Sequence, residues 1–100
     1  MAPRRKRPST ELPTIERQFT ITNKLGLHAR PAALFVQTAN RFEASLEVRK
    51  EDVVADGKSI MGIMTLAAEM GSTILVRATG RDAEAAVQAL EKLLGSNFGE

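Results

Sequence analysis

Apolar side chains along this 100-residue chain recur at two different spacings, and the order of those spacings limits the folds open to it. In some segments every second residue is apolar, which suits half-buried strands. In others apolar residues recur every three to four positions, which suits amphipathic helices. The predicted order along the chain is β-α-β-β-α-β-α. We therefore predict an α+β fold, an open-faced β-sandwich with a four-stranded antiparallel sheet and three helices on one face.

Four segments have the pattern of strands. They are predicted over Ile15 to Thr22, around Leu46 and Val48, over Val53 to Ala55, and over Thr73 to Thr79. The second and third strands form a hairpin with Glu51-Asp52 near its turn. In the fourth strand, Ile74, Val76 and Ala78 are expected on one face, with Leu75 and Arg77 on the other.

Three segments have the pattern of helices. The first begins at His28 and is expected to bury Ala32, Phe35, Val36 and Ala39, with Leu34 outside that face. The second is predicted from Ser59 to about Glu69, closed by Gly71. The third is predicted to be capped by Asp82 and to bury Ala83, Ala86, Val87, Leu90, Leu93 and Leu94.

The only histidine of the chain, His28, lies where the first strand gives way to the first helix, in the run Gly-Leu-His-Ala-Arg-Pro-Ala. The first amides of a helix have no partner within it and carry partial positive charge, so an anion is stabilised there. With His28 as N-cap, Ala29 and Arg30 offer backbone N–H groups, while Pro31 has none to lose. Arg30 adds a cation that can hold phosphate oxygens. His28 is therefore a candidate phosphoryl carrier, although a lone histidine near a helix start is more often a plain surface residue.

Two motifs carry a family resemblance. The run over residues 26–32, followed by Gly-Lys-Ser-Ile-Met-Gly-Ile-Met over residues 57–64, resembles the HPr family of histidine-containing phosphocarriers of the bacterial phosphoenolpyruvate-dependent phosphotransferase system. The resemblance covers roughly residues 15–94. Both motifs stand in the order and spacing typical of that family.

The resemblance implies that His28 takes a phosphoryl group from Enzyme I and passes it to an acceptor protein of the system. Arg30 would steady the phosphate, and Ser59 would match the serine that an HPr kinase/phosphorylase modifies in many members. Leu25 stands where many sugar-transport members have a small polar residue. The pathway therefore stays open between sugar transport and a nitrogen-related or purely regulatory role.

Apolar residues surround most of the short second helix, which is too short to be buried on all sides. One interpretation places Ile63, Leu66 and Ala67 in the core, with the methionines filling gaps. The other makes part of this surface a docking patch for partner proteins beside His28. The patch would comprise Leu34, Ile60, Met61 and Met64. The resemblance favours docking.

The basic residues are concentrated near the start of the chain, in Arg4-Arg5-Lys6-Arg7, among three prolines. Such composition is typical of disorder, so we predict a disordered basic tail over residues 1–13 and one HPr-like domain over residues 14–100. The domain carries ten Lys and Arg against eleven Asp and Glu. A basic run can contact nucleic acid or lipid but is more often solvated. The chain has no Trp or Tyr and only four Phe to stack on bases, so we expect no nucleic-acid partner.

The absence of cysteine excludes disulfides and thiolate metal sites, and a single histidine leaves no histidine cluster. No metal or cofactor is expected. No apolar run approaches membrane-spanning length, and the basic start has no apolar segment after it, so we expect no membrane insertion and a cytoplasmic location. A small regulatory binding module that is never phosphorylated remains the main alternative. A hydrolase is less favoured because no nucleophile motif is visible.

Overall fold

The computed structural model describes residues 12–99, so the tail predicted for residues 1–13 lies outside the described residues except for its last two. The strands are β1 (Thr14–Thr20), β2 (Ser45–Lys50), β3 (Val53–Asp56) and β4 (Thr73–Thr79). The helices are α1 (Ala29–Ala39), α2 (Ile60–Thr65) and α3 (Ala83–Gly95), followed by a 3-10 turn over Asn97–Gly99. This is the predicted order of elements, with the 3-10 turn added.

The four strands form one sheet in the order β1-β4-β2-β3, and every neighbouring pair is antiparallel. The central strand β4 pairs with both β1 and β2, so that Val76 lies opposite Arg17 on one side and Val48 on the other. The predicted fold class is confirmed. The predicted faces of β4 are confirmed as well, because Ile74, Val76 and Ala78 are fully buried while Arg77 is exposed.

The core lies between the sheet and the helices, where alternate strand residues meet the apolar stripes of α1 and α3. The buried residues of these two helices are Pro31, Ala32, Phe35, Val36 and Ala39 in α1 and Ala83, Ala86, Val87, Leu90 and Leu94 in α3. Leu93, predicted in the buried stripe of α3, is only half-buried because it lies beside a surface depression between α3 and the end of α1.

The first strand ends at Thr20, two residues before its predicted end. Ile21 is fully buried and exchanges backbone hydrogen bonds with the turn before β4: its N–H donates to Ser72 O at 2.8 Å and its carbonyl accepts from Gly71 N at 2.7 Å. The side chain of Thr22 donates to Asn97 of the 3-10 turn. The ladder stops here because these two residues bond to turns instead of to β4.

Helix α2 is shorter than predicted. It ends at Thr65, Leu66 is its C-cap, and Ala67 has a left-handed φ of +51°, so neither the extension to Glu69 nor closure by Gly71 is correct. The reversal at Ala67 turns Ala68 into the core, where it is 3% exposed. Ala67 itself is exposed, which corrects its predicted place in the core, whereas Ile63 and Leu66 are buried as that interpretation required.

Asp82 lies at the N-cap position of α3, but its carboxylate does not cap the helix. It accepts hydrogen bonds from the backbone N–H groups of Glu43 and Ala44, each at 2.9 Å, in the segment between α1 and β2. The Glu43 N–H is the main cause that lowers the pKa of Asp82. Desolvation opposes it, while the Ala44 N–H, Asp82's own N–H and the Lys58 ammonium add to it. The predicted capping role is therefore replaced by a bond between α3 and a segment distant in the chain.

Candidate functional site

The loop before His28 is held by a turn over residues 23–26. Gly26 N donates to Asn23 O at 3.1 Å, and the Asn23 side-chain amide donates to Gly26 O at 2.8 Å. Asn23 is 2% exposed, so this bond lies in the protein interior. The Asn-X-X-Gly pattern is typical of such a turn and would have been the signal for it in the sequence.

A second contact fixes this loop against the segment after α2. Leu27 N donates to Ala68 O at 2.8 Å, and a Cβ added at Gly26 would lie 2.4 Å from the same oxygen. Gly26 has φ of +70°, as expected for a glycine that permits a tight turn and a close backbone approach. The loop before His28 and the loop after α2 therefore form one packed unit.

His28 is the N-cap of α1, as predicted. Its backbone is extended, with φ of −80° and ψ of −170°, and its carbonyl accepts the N–H of Ala32 at 2.9 Å. The His28 side chain makes no capping hydrogen bond to its own helix. The imidazole is half-buried and stands at the start of an eleven-residue helix.

The next two residues, Ala29 and Arg30, are exposed and lie in the first turn of α1. The first N–H that bonds within the helix is that of Ala32, so the N–H groups of Ala29 and Arg30 have no partner within α1. Pro31, which lies between Arg30 and Ala32, has no N–H. Within residues 12–99, the Arg30 guanidinium forms no ion pair. The helix start thus offers two amide donors and the helix dipole, with an arginine two residues after the histidine, a combination suited to a phosphoryl group.

Ser59 is the N-cap of α2. Its hydroxyl oxygen accepts the N–H of Gly62 at 3.0 Å, so the capping role predicted for it is confirmed. The ammonium group of the preceding residue, Lys58, donates a hydrogen bond to Phe42 O at 2.7 Å. Ser59 is half-buried, while the next two residues, Ile60 and Met61, are exposed.

The residues predicted to form a docking patch lie on two helices that pack against each other, α1 and α2. Ile60, Met61 and Met64 share one face of α2 and are 43%, 73% and 39% exposed, whereas Leu34 is half-buried against the core. The loops that pack against each other at Gly26 and Ala68 also expose apolar residues that the sequence pattern does not predict to be exposed. Leu25 and Met70 are 70% and 58% exposed, on the two loops that meet at Gly26 and Ala68.

Residues 12–99 contain neither a candidate metal site nor a candidate membrane-spanning helix. Within residues 12–99, no three His, Cys, Asp or Glu side chains gather closely enough to hold a metal ion. No helix in that part of the chain has the length and apolar character needed to cross a membrane.

Comparison with known proteins gives a consistent result. The family model described as the phosphorylation site of the PTS HPr component matches residues 15–96. The phosphocarrier protein HPr of Xylella fastidiosa strain Temecula1 is 44% identical over 86 residues, which cover 86% of this chain and 97% of the relative. The HPr-like protein Crh of Halalkalibacterium halodurans is 47% identical over 76 residues, covering 76% of this chain and 90% of Crh.

The solved structures agree with the sequence relatives. The crystal structure of an HPr from Thermoanaerobacter tengcongensis has a TM-score of 0.83 and 49% identity, covering 86% of this chain and 97% of that one. An HPr from Bacillus anthracis has a TM-score of 0.78 and 46% identity, with 81% and 96% covered. With the family model, the relatives and the fold in agreement, the chain belongs to the HPr family of phosphocarrier proteins of the phosphotransferase system.

Proposed function

We propose that His28 is the residue that carries the phosphoryl group, received from phosphorylated Enzyme I and passed to an acceptor protein in the cytoplasm. The observation that carries this proposal is the place of His28 as N-cap of α1, next to the amides of Ala29 and Arg30. A ring nitrogen attacks phosphorus, the bond from phosphorus to the donor breaks, and the donor keeps that electron pair. The helix start then holds the oxygens of the phosphohistidine. The domain over residues 14–100 is the unit that carries this role.

The test is transfer from labelled phosphoenolpyruvate through Enzyme I. We expect one equivalent of acid-labile label on the wild-type chain and none on His28→Ala. Circular dichroism should show the variant folded, since the His28 side chain does not cap its helix and an N-cap exchange costs about 1 kcal/mol. Acid-labile label on folded His28→Ala would refute the assignment. Failure of the wild-type chain to accept label would favour the non-phosphorylated binding module.

Arg30 supports the phosphate through charge. It is exposed and forms no ion pair within residues 12–99, so its removal costs little stability. We expect Arg30→Ala to slow transfer in both directions by about tenfold or more, because its cation meets charge on the transferring group. Arg30→Lys keeps the positive charge but lacks the planar guanidinium that can bond two phosphate oxygens at once. Its transfer rate should therefore lie between those of wild type and Arg30→Ala. A loss of melting temperature with unchanged rates would make Arg30 structural.

Phosphorylation of Ser59 by an HPr kinase/phosphorylase is the proposed regulation. Its support is the place of Ser59 directly before exposed Ile60 and Met61. A phosphate there sets a charge of about −1.5 to −2 beside apolar side chains that Enzyme I would have to cover, and that charge would be costly to desolvate.

The regulatory role is tested by a matched pair of variants. Ser59→Asp should accept phosphate from Enzyme I more slowly than wild type, whereas Ser59→Ala, which lacks both cap and charge, should lose stability by about 1 kcal/mol and keep its transfer rate. If Ser59→Asp and wild type accept phosphate equally fast, and HPr kinase with ATP leaves Ser59 unmodified, the serine is only a cap.

The docking patch is proposed to be the surface that these partners contact. It comprises Leu34, Ile60, Met61 and Met64, and Leu25 and Met70 extend it along the packed loops. Met61→Ala should weaken transfer from Enzyme I through KM more than through kcat, because the Met61 side chain is 73% exposed and would be covered in the complex. An unchanged KM would remove Met61 from the patch.

A nitrogen-related or purely regulatory role is the second candidate, supported by Leu25 before the motif. The two candidates differ in their acceptors. A sugar-transport carrier passes its label to a sugar-specific acceptor, whereas a regulatory member retains it or passes it to a regulatory protein.

A further inference from the structure

A shallow groove runs between α3 and the segment that follows α1. One wall is formed by Arg41 and Phe42, and the floor is formed on α3 by Ala85, Ala89, Lys92 and Leu93. Two adjoining depressions share Arg41, Ala89 and Lys92, so the groove is continuous. We call it the α1–α3 groove.

The floor of the groove is a second apolar stripe on α3, beside the buried one. Ala85, Ala89 and Leu93 recur every four residues, so they lie along one line of the helix. Ala85 is exposed, and Ala89 and Leu93 are half-buried. The line from Ala85 to Leu93 is about 12 Å long at 1.5 Å per residue, enough to seat two turns of another helix.

The charged side chains that line the groove within residues 12–99 are both cations. Arg41 and Lys92 line both depressions, and neither forms an ion pair within residues 12–99. The carboxylates of α3 lie near Arg17 of β1, with Glu91 at 3.2 Å and Glu84 at 3.8 Å, and Glu84 also accepts a hydrogen bond at 3.1 Å from Gln88, which lines one depression. Among residues 12–99, no carboxylate lines either depression, so the groove joins an apolar floor to two cations.

We propose that the α1–α3 groove binds an acidic amphipathic helix of a partner protein, with apolar side chains on Ala85, Ala89 and Leu93 and carboxylates on Arg41 and Lys92. Helix-in-groove recognition uses apolar anchors along one face, and the stripe on α3 matches that spacing. Small floor residues let the partner helix approach closely. Arg41 lies over the Phe42 ring, 5.5 Å from its centroid, but neither Arg41 nor Lys92 forms an ion pair within residues 12–99, so both can pair with carboxylates.

The groove is remote from the phosphoryl site. Arg41 follows His28 by thirteen residues, and the helix between them, α1, alone spans about 16 Å at 1.5 Å per residue. A partner in the groove is therefore seated at the opposite end of α1 from His28 and Arg30. The proposal does not depend on phosphate transfer.

The test is a titration of the isotope-labelled full chain, followed by backbone amide NMR. The probe is a synthetic amphipathic helix of about 15 residues, a length at which an isolated helix begins to form, with Leu on one face and Glu at its flanks. We expect the largest shifts at Arg41, Phe42, Ala85, Ala89 and Leu93, and weaker binding as salt rises. A peptide with Gln in place of Glu controls for apolar contact alone and should bind more weakly.

Charge reversal decides the outcome. The double variant Arg41→Glu, Lys92→Glu should bind the Glu peptide about tenfold or more weakly, and should gain binding to the same peptide with Lys in place of Glu. Arg81→Glu, an exposed cation that lines neither depression, is the matched control and should bind as wild type does. Shifts centred on Met61 and Met64, or equal binding by wild type and the double variant, would overturn the proposal.

Discussion

Gly26 meets two requirements that only glycine satisfies. Its φ is +70°, and a Cβ at this position would lie 2.4 Å from the backbone oxygen of Ala68. That oxygen is already bonded to Leu27 N, so it cannot move without breaking the contact between the two loops.

We therefore expect Gly26→Ala to lower the free energy of unfolding by about 2 kcal/mol, from left-handed strain and the clash together. His28 phosphorylation should slow as well, because the loop that places the residue shifts. Urea unfolding and the transfer assay measure the two effects. Gly95→Ala is the control, since within residues 12–99 its added Cβ meets no atom within 4 Å beyond its chain neighbours and its own helix backbone. A Gly26→Ala variant as stable as Gly95→Ala would show that the loop relaxes freely.

Asp82 couples the stability of the fold to pH. The Glu43 N–H holds the pKa of Asp82 below its ordinary value, and desolvation only partly opposes it. A depressed folded-state pKa means that the ionised group stabilises the fold at any pH above its ordinary, unfolded-state pKa, and that this stabilisation is lost as pH falls through the folded-state pKa.

We expect Asp82→Asn to be less stable than wild type at pH 7 and to lose less stability than wild type between pH 6 and pH 3. Parallel urea titrations at the two pH values measure this difference. Asp52→Asn, in the exposed turn of the hairpin, is the control and should follow the wild-type profile. Equal pH dependence in Asp82→Asn and wild type would mean that the Glu43 and Ala44 bonds do not depend on the charge.

At the level of elements, the residue after the C-cap of α2 is an alanine in a backbone conformation that is less strained for glycine. Ala67 has a φ of +51° and is exposed, so its methyl group contributes little packing while the left-handed backbone costs about 1–2 kcal/mol for a residue with a Cβ. Glycine adopts this conformation without that cost but loses more entropy on folding.

Ala67→Gly should therefore raise the free energy of unfolding by about 0.5–1 kcal/mol. The opposite exchange nearby, Gly71→Ala at φ of +94°, should destabilise even though its added Cβ meets nothing within 4 Å. Thermal and urea unfolding of both variants measure the pair. A destabilised Ala67→Gly would indicate that the methyl group packs in a way that its exposure conceals.

At the level of the whole molecule, the hydrophobic core includes a residue that follows the last α-helix, Phe98. Phe98 is 4% exposed and lies in the 3-10 turn after α3, where the neighbouring Asn97 side chain accepts a hydrogen bond from Thr22. The family resemblance in the sequence extends only to about residue 94, so it does not include Phe98.

Phe98→Ala should lower the free energy of unfolding by about 3 kcal/mol, because it removes a buried aromatic ring and leaves a cavity. Leu25→Ala is the matched apolar control, and since Leu25 is 70% exposed its truncation should change stability by less than about 0.5 kcal/mol. Denaturant unfolding compares the two. Similar losses in both would mean that the turn over residues 97–99 is not part of the cooperative unit.

Local information in the sequence determined the kinds of elements, the faces that they bury and the place of His28 at a helix start. Hydrophobic periodicity, a proline in the first helical turn and two spaced motifs are properties of short segments, so they can be read without the fold. Ser59 as N-cap of α2 and the buried face of β4 were correct for the same reason.

Only the tertiary structure decided the strand order, the partner of Asp82, the early end of α2 and the exposure of Leu25 and Met70. Asp82 bonds to residues 38 and 39 positions away, and Ala67 turns left-handed so that Ala68 can reach the core and Leu27 N–H. Such outcomes depend on packing between segments far apart in the chain. Local propensity carries no information about which distant group will be nearby, and packing overrides it where the two conflict.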